Sequence, residues 1–198
     1  MAVQTRRRMT PDEFLAFERA STTRHEYIDG EIRAMAGASE RHIDIQVDLQ
    51  TLLNIQLRGK PCKVFNSEMR VQLASGNYTY PDASVVCGER QFRENTRPDT
   101  LLNPTVIIEV ISPSTAAYDH TDKLTRYMAI ESVRQIVLVE QDAPGVICYT
   151  RGDNGGWQFS AAIGLDSTLA LDSIGCTLAL ADVYAKVTFP PAEDHQEA

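Results

Sequence analysis

Apolar residues recur along this chain with two different periods, and the changes of period mark out the elements. Thr10-Pro11-Asp12-Glu13 precedes Phe14, Leu15 and Phe17. A threonine N-cap, a proline in the first helical position and a glutamate three residues past the cap predict a helix start. The helix is expected to end near Ser21. From His25 to Met35 the period shortens to two, around Asp29-Gly30. Both residues accept the positive φ of a type I′ turn, so a hairpin is predicted. Ser39 caps a long helix over 39–58, whose apolar side is read as Ile43, Val47, Leu49, Leu53 and Leu57. Arg58-Gly59-Lys60-Pro61 stops it.

Strands are predicted at 62–73, 82–87 and 105–111, the third apolar on both faces and so suited to the middle of a sheet. The polar stretch 88–104, with Arg90, Arg93 and Arg97, reads as a mobile loop. Ser112-Pro113 ends the third strand; a helix follows from Asp119 to about Ser132, then a buried strand at 134–140. Strand-like pieces at 145–150, 156–163 and 176–180 and a short helix near 181–186 complete the pattern. Trp157 is assigned to the core of this β-rich tail. The fold class is therefore α/β with a mixed central sheet, preceded by a helix and hairpin and followed by a β-rich extension. One domain over 10–189 is expected, flanked by a loose arm at 1–9 and an acidic tail at 190–198.

Composition narrows the classes. The chain has 198 residues, 43% hydrophobic and 23% charged, a globular balance. No apolar run approaches the roughly 20 residues of a membrane helix, and the basic start lacks the apolar stretch of a secretory signal. The four cysteines form no C-x-x-C pair; they are read as mostly reduced core thiols, which places the protein in the cytoplasm. A net charge of −8 argues against a coat protein that binds nucleic acid by bulk charge, though not against an enzyme with a local basic groove.

Glu109 is the conspicuous residue, a carboxylate inside the run Val106 to Ile111. Burying it alone costs several kcal/mol, so it must be paired, neutralised or bound to a metal. A buried salt bridge satisfies that as well as a catalytic site does. Asp82, after Pro81, opens a strand and could deliver a second carboxylate to the same sheet; by itself it is ordinary turn chemistry. Two such carboxylates would make an oxygen-rich cup of the kind magnesium takes. Lys123 lies in the first turn of the following helix, where it either faces the strand ends or is solvated.

These residues resemble a known family. Glu26-Tyr27-Ile28-Asp29-Gly30-Glu31, Ser39 with His42, Tyr80-Pro81-Asp82, Ile108-Glu109-Val110-Ile111-Ser112-Pro113-Ser114-Thr115, and Asp119 with Lys123 and Tyr127 look like the Uma-two family. That family is grouped with restriction endonucleases in the PD-(D/E)xK nuclease superfamily. The resemblance runs from about residue 10 to about residue 187 and implies an αβββαβ restriction-endonuclease-like core with metal-dependent phosphodiester cleavage. It makes Asp82 and Glu109 the motif acids, and implies Mg2+, with Mn2+ as a substitute, held by them and the Ile111 backbone carbonyl. Ile111 stands where the superfamily usually has its lysine; the resemblance moves that role to Lys123. Glu26 matches the family's upstream acid, and His42 its helix histidine, without an assigned role. Ser132 to Glu140 departs from the family's usual Gly-Val-x-Glu-Tyr-Trp stretch.

The expected function is a DNA endonuclease with catalytic Asp82, Glu109, Lys123 and Glu26, working as a homodimer with the region after Glu140 as one candidate surface. The alternatives are a nuclease-like binding or assembly module with little turnover, which the acidic balance favours, and a hydrolase of small phosphodiesters.

Overall fold

The computed structural model describes residues 8–94, 96–112 and 119–189. Helix α1 (Pro11–Ala20) starts as its sequence dictates: Thr10 accepts from Glu13 N while Glu13 caps Thr10 N in return. Strands β1 (His25–Ile28) and β2 (Glu31–Ala34) form the hairpin, with Asp29 and Gly30 at φ 52° and 87°. Met9 belongs to this unit rather than to a loose arm, since its N–H donates to Gly30 O and its carbonyl accepts from Tyr27 Oη. Residues 1–7 and 190–198, which hold the rest of the arm and the tail, lie outside the described residues.

Helix α2 (Glu40–Gln56) follows, capped by Ser39, which accepts from His42 N. It buries Ile45, Leu49 and Leu53; Ile43 and Val47, assigned to its apolar side, are about half exposed. Apolar residues on two sides blurred the period, and the sheet beneath chose one of them.

The predicted strand 62–73 is two strands in two sheets. β3 (Cys62–Asn66) joins a six-stranded sheet of order β11-β10-β9-β8-β6-β3, and β4 (Arg70–Gln72) a five-stranded one of order β2-β1-β5-β4-β7. The other members are β5 (Tyr78–Thr79), β6 (Ala83–Cys87), β7 (Thr100–Leu101), β8 (Val106–Ile111), β9 (Gln135–Glu140), β10 (Gly145–Arg151) and β11 (Trp157–Ile163). β8 lies between antiparallel β6 and parallel β9, which explains its apolar residues on both faces. A hairpin of β12 (Thr168–Leu171), absent from the sequence reading, and β13 (Cys176–Ala179) leads to the short helix α4 (Leu180–Val183). This mixed α/β architecture agrees with the fold class that the sequence implied.

Three packed layers result. Val106, Ile108 and Val110 face α2 and the β12–β13 hairpin. Ile107 and Ile111 face the second sheet, meeting Ile28, Val71 and Leu101. Beyond that sheet, Phe14 of α1 stacks on Tyr27 and Tyr78 at 5.0 and 5.5 Å.

Three further expectations change. Much of the segment at 88–104 is tied down rather than free: β7 pairs in parallel with β4, Arg93 N donates to Thr100 O, and Arg93 also reaches Gln72. The cause is buried Arg70, whose guanidinium needs the Thr100 hydroxyl and the Pro98 carbonyl as acceptors. Cys62 and Cys87 are not reduced thiols: the β3–β6 register sets them opposite each other, Cα atoms 4.0 Å apart, in a disulfide. Cys148 and Cys176 are buried free thiols, so the argument for the cytoplasm rests on them alone. Trp157 is half-buried at the sheet margin, with the Arg151 guanidinium 4.6 Å from its ring. No helix among the described residues is long and apolar enough to cross a membrane.

Candidate active site

The site lies where the two sheets face each other at the C-terminal end of β8. Alternation along β8 sends Glu109 to the side of Ile107 and Ile111, toward the five-stranded sheet. Alternation along β1 sends Tyr27 to α1 and brings Glu26 to meet Glu109 from the opposite layer. Lys123 stands between them, its Nζ 2.9 Å from Glu109 Oε1 and 3.2 Å from Glu26 Oε1. All three are at least nine-tenths buried.

Lys123 ends a π-type turn (Asp119–Lys123) that runs into helix α3 (Leu124–Met128), where one long helix was predicted. Tyr127, four residues on, shares its helix face and donates to Glu109 Oε1. Burial first, then the neighbouring Glu109 charge, holds the Tyr127 hydroxyl well above its ordinary pKa, so it remains a donor. The Thr79 hydroxyl on β5 gives Glu26 its hydrogen bond. Chain direction thus matters less than face: helix α3 packs over the sheet, and the i, i+4 pair of Lys123 and Tyr127 reaches both acids.

Asp82 stands beside Glu109, just ahead of the neighbouring strand β6, with its carboxylate turned toward helix α2. The β6–β8 register pairs Ala83 with Ile108, so the next pair outward is Asp82 with Glu109. Asp82 Oδ2 accepts from Val110 N at 2.6 Å. Its Oδ1 accepts from Gln46 Nε2 and lies 3.2 Å from His42 Nε2, both on the buried side of α2, while Gln50 Nε2 reaches its backbone carbonyl at 3.3 Å. His42, unassigned in sequence, therefore lies against the Asp82 carboxylate. The Ile111 carbonyl accepts from Gln141 N at 3.1 Å, continuing the ladder toward β9.

The sequence reading missed Gln46 and Thr79 as site residues, and named Tyr127 in the family resemblance without giving it a role. Tyr127 and Gln46 had a signal: each lies four residues from a named site residue on the same helix, Lys123 and His42. Thr79 had none.

Among the described residues no three histidine, cysteine or acidic side chains form a preassembled metal cluster. The donor set nevertheless fits a hard divalent cation. Asp82 and Glu109 fall opposite each other at the end of the β6–β8 ladder, and magnesium commonly takes one or two protein carboxylates and keeps its waters. At formal charges, Asp82, Glu26 and Glu109 outweigh the single Lys123 ammonium, a surplus that a cation would offset.

Behind Asp82, Tyr80 is anchored through Glu18, whose Oε1 accepts from the Tyr80 hydroxyl at 2.9 Å and whose Oε2 meets His25 Nδ1 at 3.0 Å. Burial first, then Glu18, raises the Tyr80 pKa and keeps it a donor. Tyr80 also lines a cleft of about 700 Å³ whose rim carries Arg19, Arg24 and Arg97.

A family model described as "Putative restriction endonuclease", Uma2, matches residues 11–181. The chain belongs to that family. Two uncharacterised proteins of Synechocystis sp. are similar to it: one is 36% identical over 92% of this chain and 94% of the relative, the other 32% identical over 83% and 93%. The crystal structure of a putative nuclease from Anabaena variabilis superposes with a TM-score of 0.72, over 89% of this chain and 98% of that one, at 21% identity. That likeness shows a shared fold and leaves residue roles to the geometry.

Proposed function

We propose that this protein is a metal-dependent endonuclease that hydrolyses DNA phosphodiester bonds, with Asp82, Glu109, Lys123 and Glu26 as its catalytic residues. The observation that carries the reading is the placement of a nearly buried lysine between Glu26 and Glu109, with Asp82 opposite Glu109 at the end of the β6–β8 ladder. A phosphodiester is anionic and repels hydroxide, so cleavage needs charge neutralisation and an activated water. Asp82 and Glu109, with the Ile111 carbonyl, would hold a magnesium ion, or manganese in its place. Such a cation, when bound, neutralises phosphate charge and acidifies the attacking water.

The chain's own groups supply the rest. Lys123 would donate a hydrogen bond that positions the attacking water and would offset developing negative charge from a position set before the substrate arrives. Glu26 and Thr79 fix the direction of that ammonium. Tyr127 keeps the Glu109 carboxylate oriented, and His42, Gln46 and Val110 N do so for Asp82. Arg19, Arg24 and Arg97 line a cleft that shares none of the four catalytic residues and adjoins them through Tyr80; a phosphate backbone running on from the site would meet basic side chains there. A homodimer would match the two-fold symmetry of a duplex substrate.

A second reading, a nuclease-like binding module without turnover, is favoured by one observation: Asp82 already receives donors from Gln46 and Val110. Plasmid, oligonucleotide and nitrophenyl phosphodiester incubated with magnesium, manganese or chelator separate the cases. DNA cleavage that needs metal and vanishes in Asp82→Ala, Glu109→Ala and Lys123→Ala supports the proposal. Metal binding without turnover supports the module, and cleavage of the nitrophenyl ester alone points to a small-phosphodiester hydrolase. Wild-type cleavage in all three variants overturns the residue assignment.

A further inference from the structure

The six-stranded sheet ends on β11, and that edge has an unusual composition. Natural edge strands are protected by charge, proline, bulges or shortness. Trp157-Gln158-Phe159-Ser160-Ala161-Ala162-Ile163 is seven residues long, with neither charge nor proline, and pairs with β10 along its whole length. The chain as a whole carries −8.

Hydrogen-bond parity shows what the edge presents. Gly152 N donates to Gly156 O, and Gly164 N to Pro144 O, both at 2.8 Å, bracketing the β10–β11 ladder. Antiparallel ladders alternate, so Gln158, Ser160 and Ala162 bond to β10, while Trp157, Phe159, Ala161 and Ile163 turn their N–H and C=O groups outward. Of these, the Ile163 carbonyl is taken by the Ser167 hydroxyl. The side chains of the same odd-numbered residues lie on the face of Ile147 and Tyr149, where the core thins out. Phe159 is 64% exposed there and Ile163 78%.

We propose that β11 pairs antiparallel with β11 of a second copy of this chain, about a two-fold axis through Ser160, joining two six-stranded sheets into one. The strand is complementary to itself in that register. Phe159 falls opposite Ala161 of the partner subunit, and Trp157 opposite Ile163 of the partner subunit. Both are pairs of outward-facing residues with apolar side chains on one face, Ile163 contributing its N–H. A second copy suits this strip because it is the one partner guaranteed to share its register, and the strip keeps the acidic charge of both copies off the contact. Seven paired residues with their flanks fall below the ~20–30 residues a side of a standard interface, so the dimer is reversible and concentration-dependent. Salt, by screening the repulsion between two acidic chains, strengthens it. The proposal specifies the homodimer named under the proposed function but needs no catalysis.

Sedimentation velocity on the full chain, across a concentration and salt series, reads the association. Phe159→Lys and Ala161→Lys are expected to give monomers with wild-type circular dichroism and melting temperature. Ser160→Cys supplies a register-specific probe. Directly opposed residues in a non-hydrogen-bonded pair have Cα atoms about 4.5 Å apart, within disulfide reach. Mild oxidation should therefore link Ser160→Cys chains into a covalent dimer, while Gln158→Cys, set opposite Ala162 of the partner subunit, stays unlinked. A wild-type monomer at every soluble concentration overturns the pairing, as does a dimer that survives Phe159→Lys and leaves Ser160→Cys unlinked. Cleavage assays on the same samples keep the two ideas apart: monomeric Phe159→Lys that still cuts DNA leaves the proposed function intact, and a cross-linked dimer without cleavage leaves the pairing intact.

Discussion

The Lys123 ammonium lies 2.9 Å from Glu109 Oε1, in a place where both side chains are nearly out of water. A buried pair of this kind contributes little net stability while intact, because desolvation cancels much of the attraction, but removing one member exposes the full cost of the other. Lys123→Met is accordingly expected to lower stability by about 3–5 kcal/mol in urea unfolding. Adding Glu109→Gln should recover part of that loss, with a coupling of about 1–3 kcal/mol. Additive losses would mean that the two groups do not interact as the distances imply.

The hold of α2 on Asp82 gives a second expectation. His42→Ala and Gln46→Ala leave the carboxylate in place but remove donors that aim it. Second-layer changes around metal ligands typically cost about 10–100-fold in affinity or activity. Magnesium titration of cleavage should show that weakening, with melting temperatures changed far less than for Lys123→Met. Unchanged magnesium dependence in both variants would remove α2 from the site.

Tyr127→Phe tests a single hydrogen bond. The ring stays packed against Leu124 and Ile111, while Glu109 loses a buried donor. The expected cost is about 1–3 kcal/mol, since the acceptor is buried and charged. Cleavage should fall as well, and a variant with wild-type stability and activity would show that Glu109 does not depend on Tyr127.

Asp29 sets an acid limit at the hairpin. A hydrogen bond from Arg126, then one from Asn77, holds its carboxyl below the usual range. A lowered folded pKa means that the stabilisation is complete above the ordinary carboxylate value and fades as pH falls through the lowered one. The side chain is 55% exposed, so the amount is that of a surface pair, about 0.2–1 kcal/mol. Asp29→Asn keeps a residue that tolerates the left-handed turn. Against it, wild type should show the advantage at neutral pH and lose it in acid, as read by urea midpoints across a pH series.

Much of this molecule was legible in its residues. The capping box at Thr10, the Asp29-Gly30 turn and the apolar run of β8 are local signals, set by backbone sterics and short-range hydrogen bonding, and the structure follows them. The acids and the lysine of the candidate site were legible as types in an order. Their meeting was not, because it depends on which face each strand presents and on how two sheets stack. The same holds for the Cys62–Cys87 pair, made by the β3–β6 register, and for the α2 face chosen by the sheet beneath it. Arg70 shows the reason in one residue: nothing near it in sequence marks it for burial, and only the arrival of Thr100 on β7 and of Pro98 just before it provides the acceptors that make burial possible. Short-range physics determined the elements; desolvation and long-range register decided which side chains share a site.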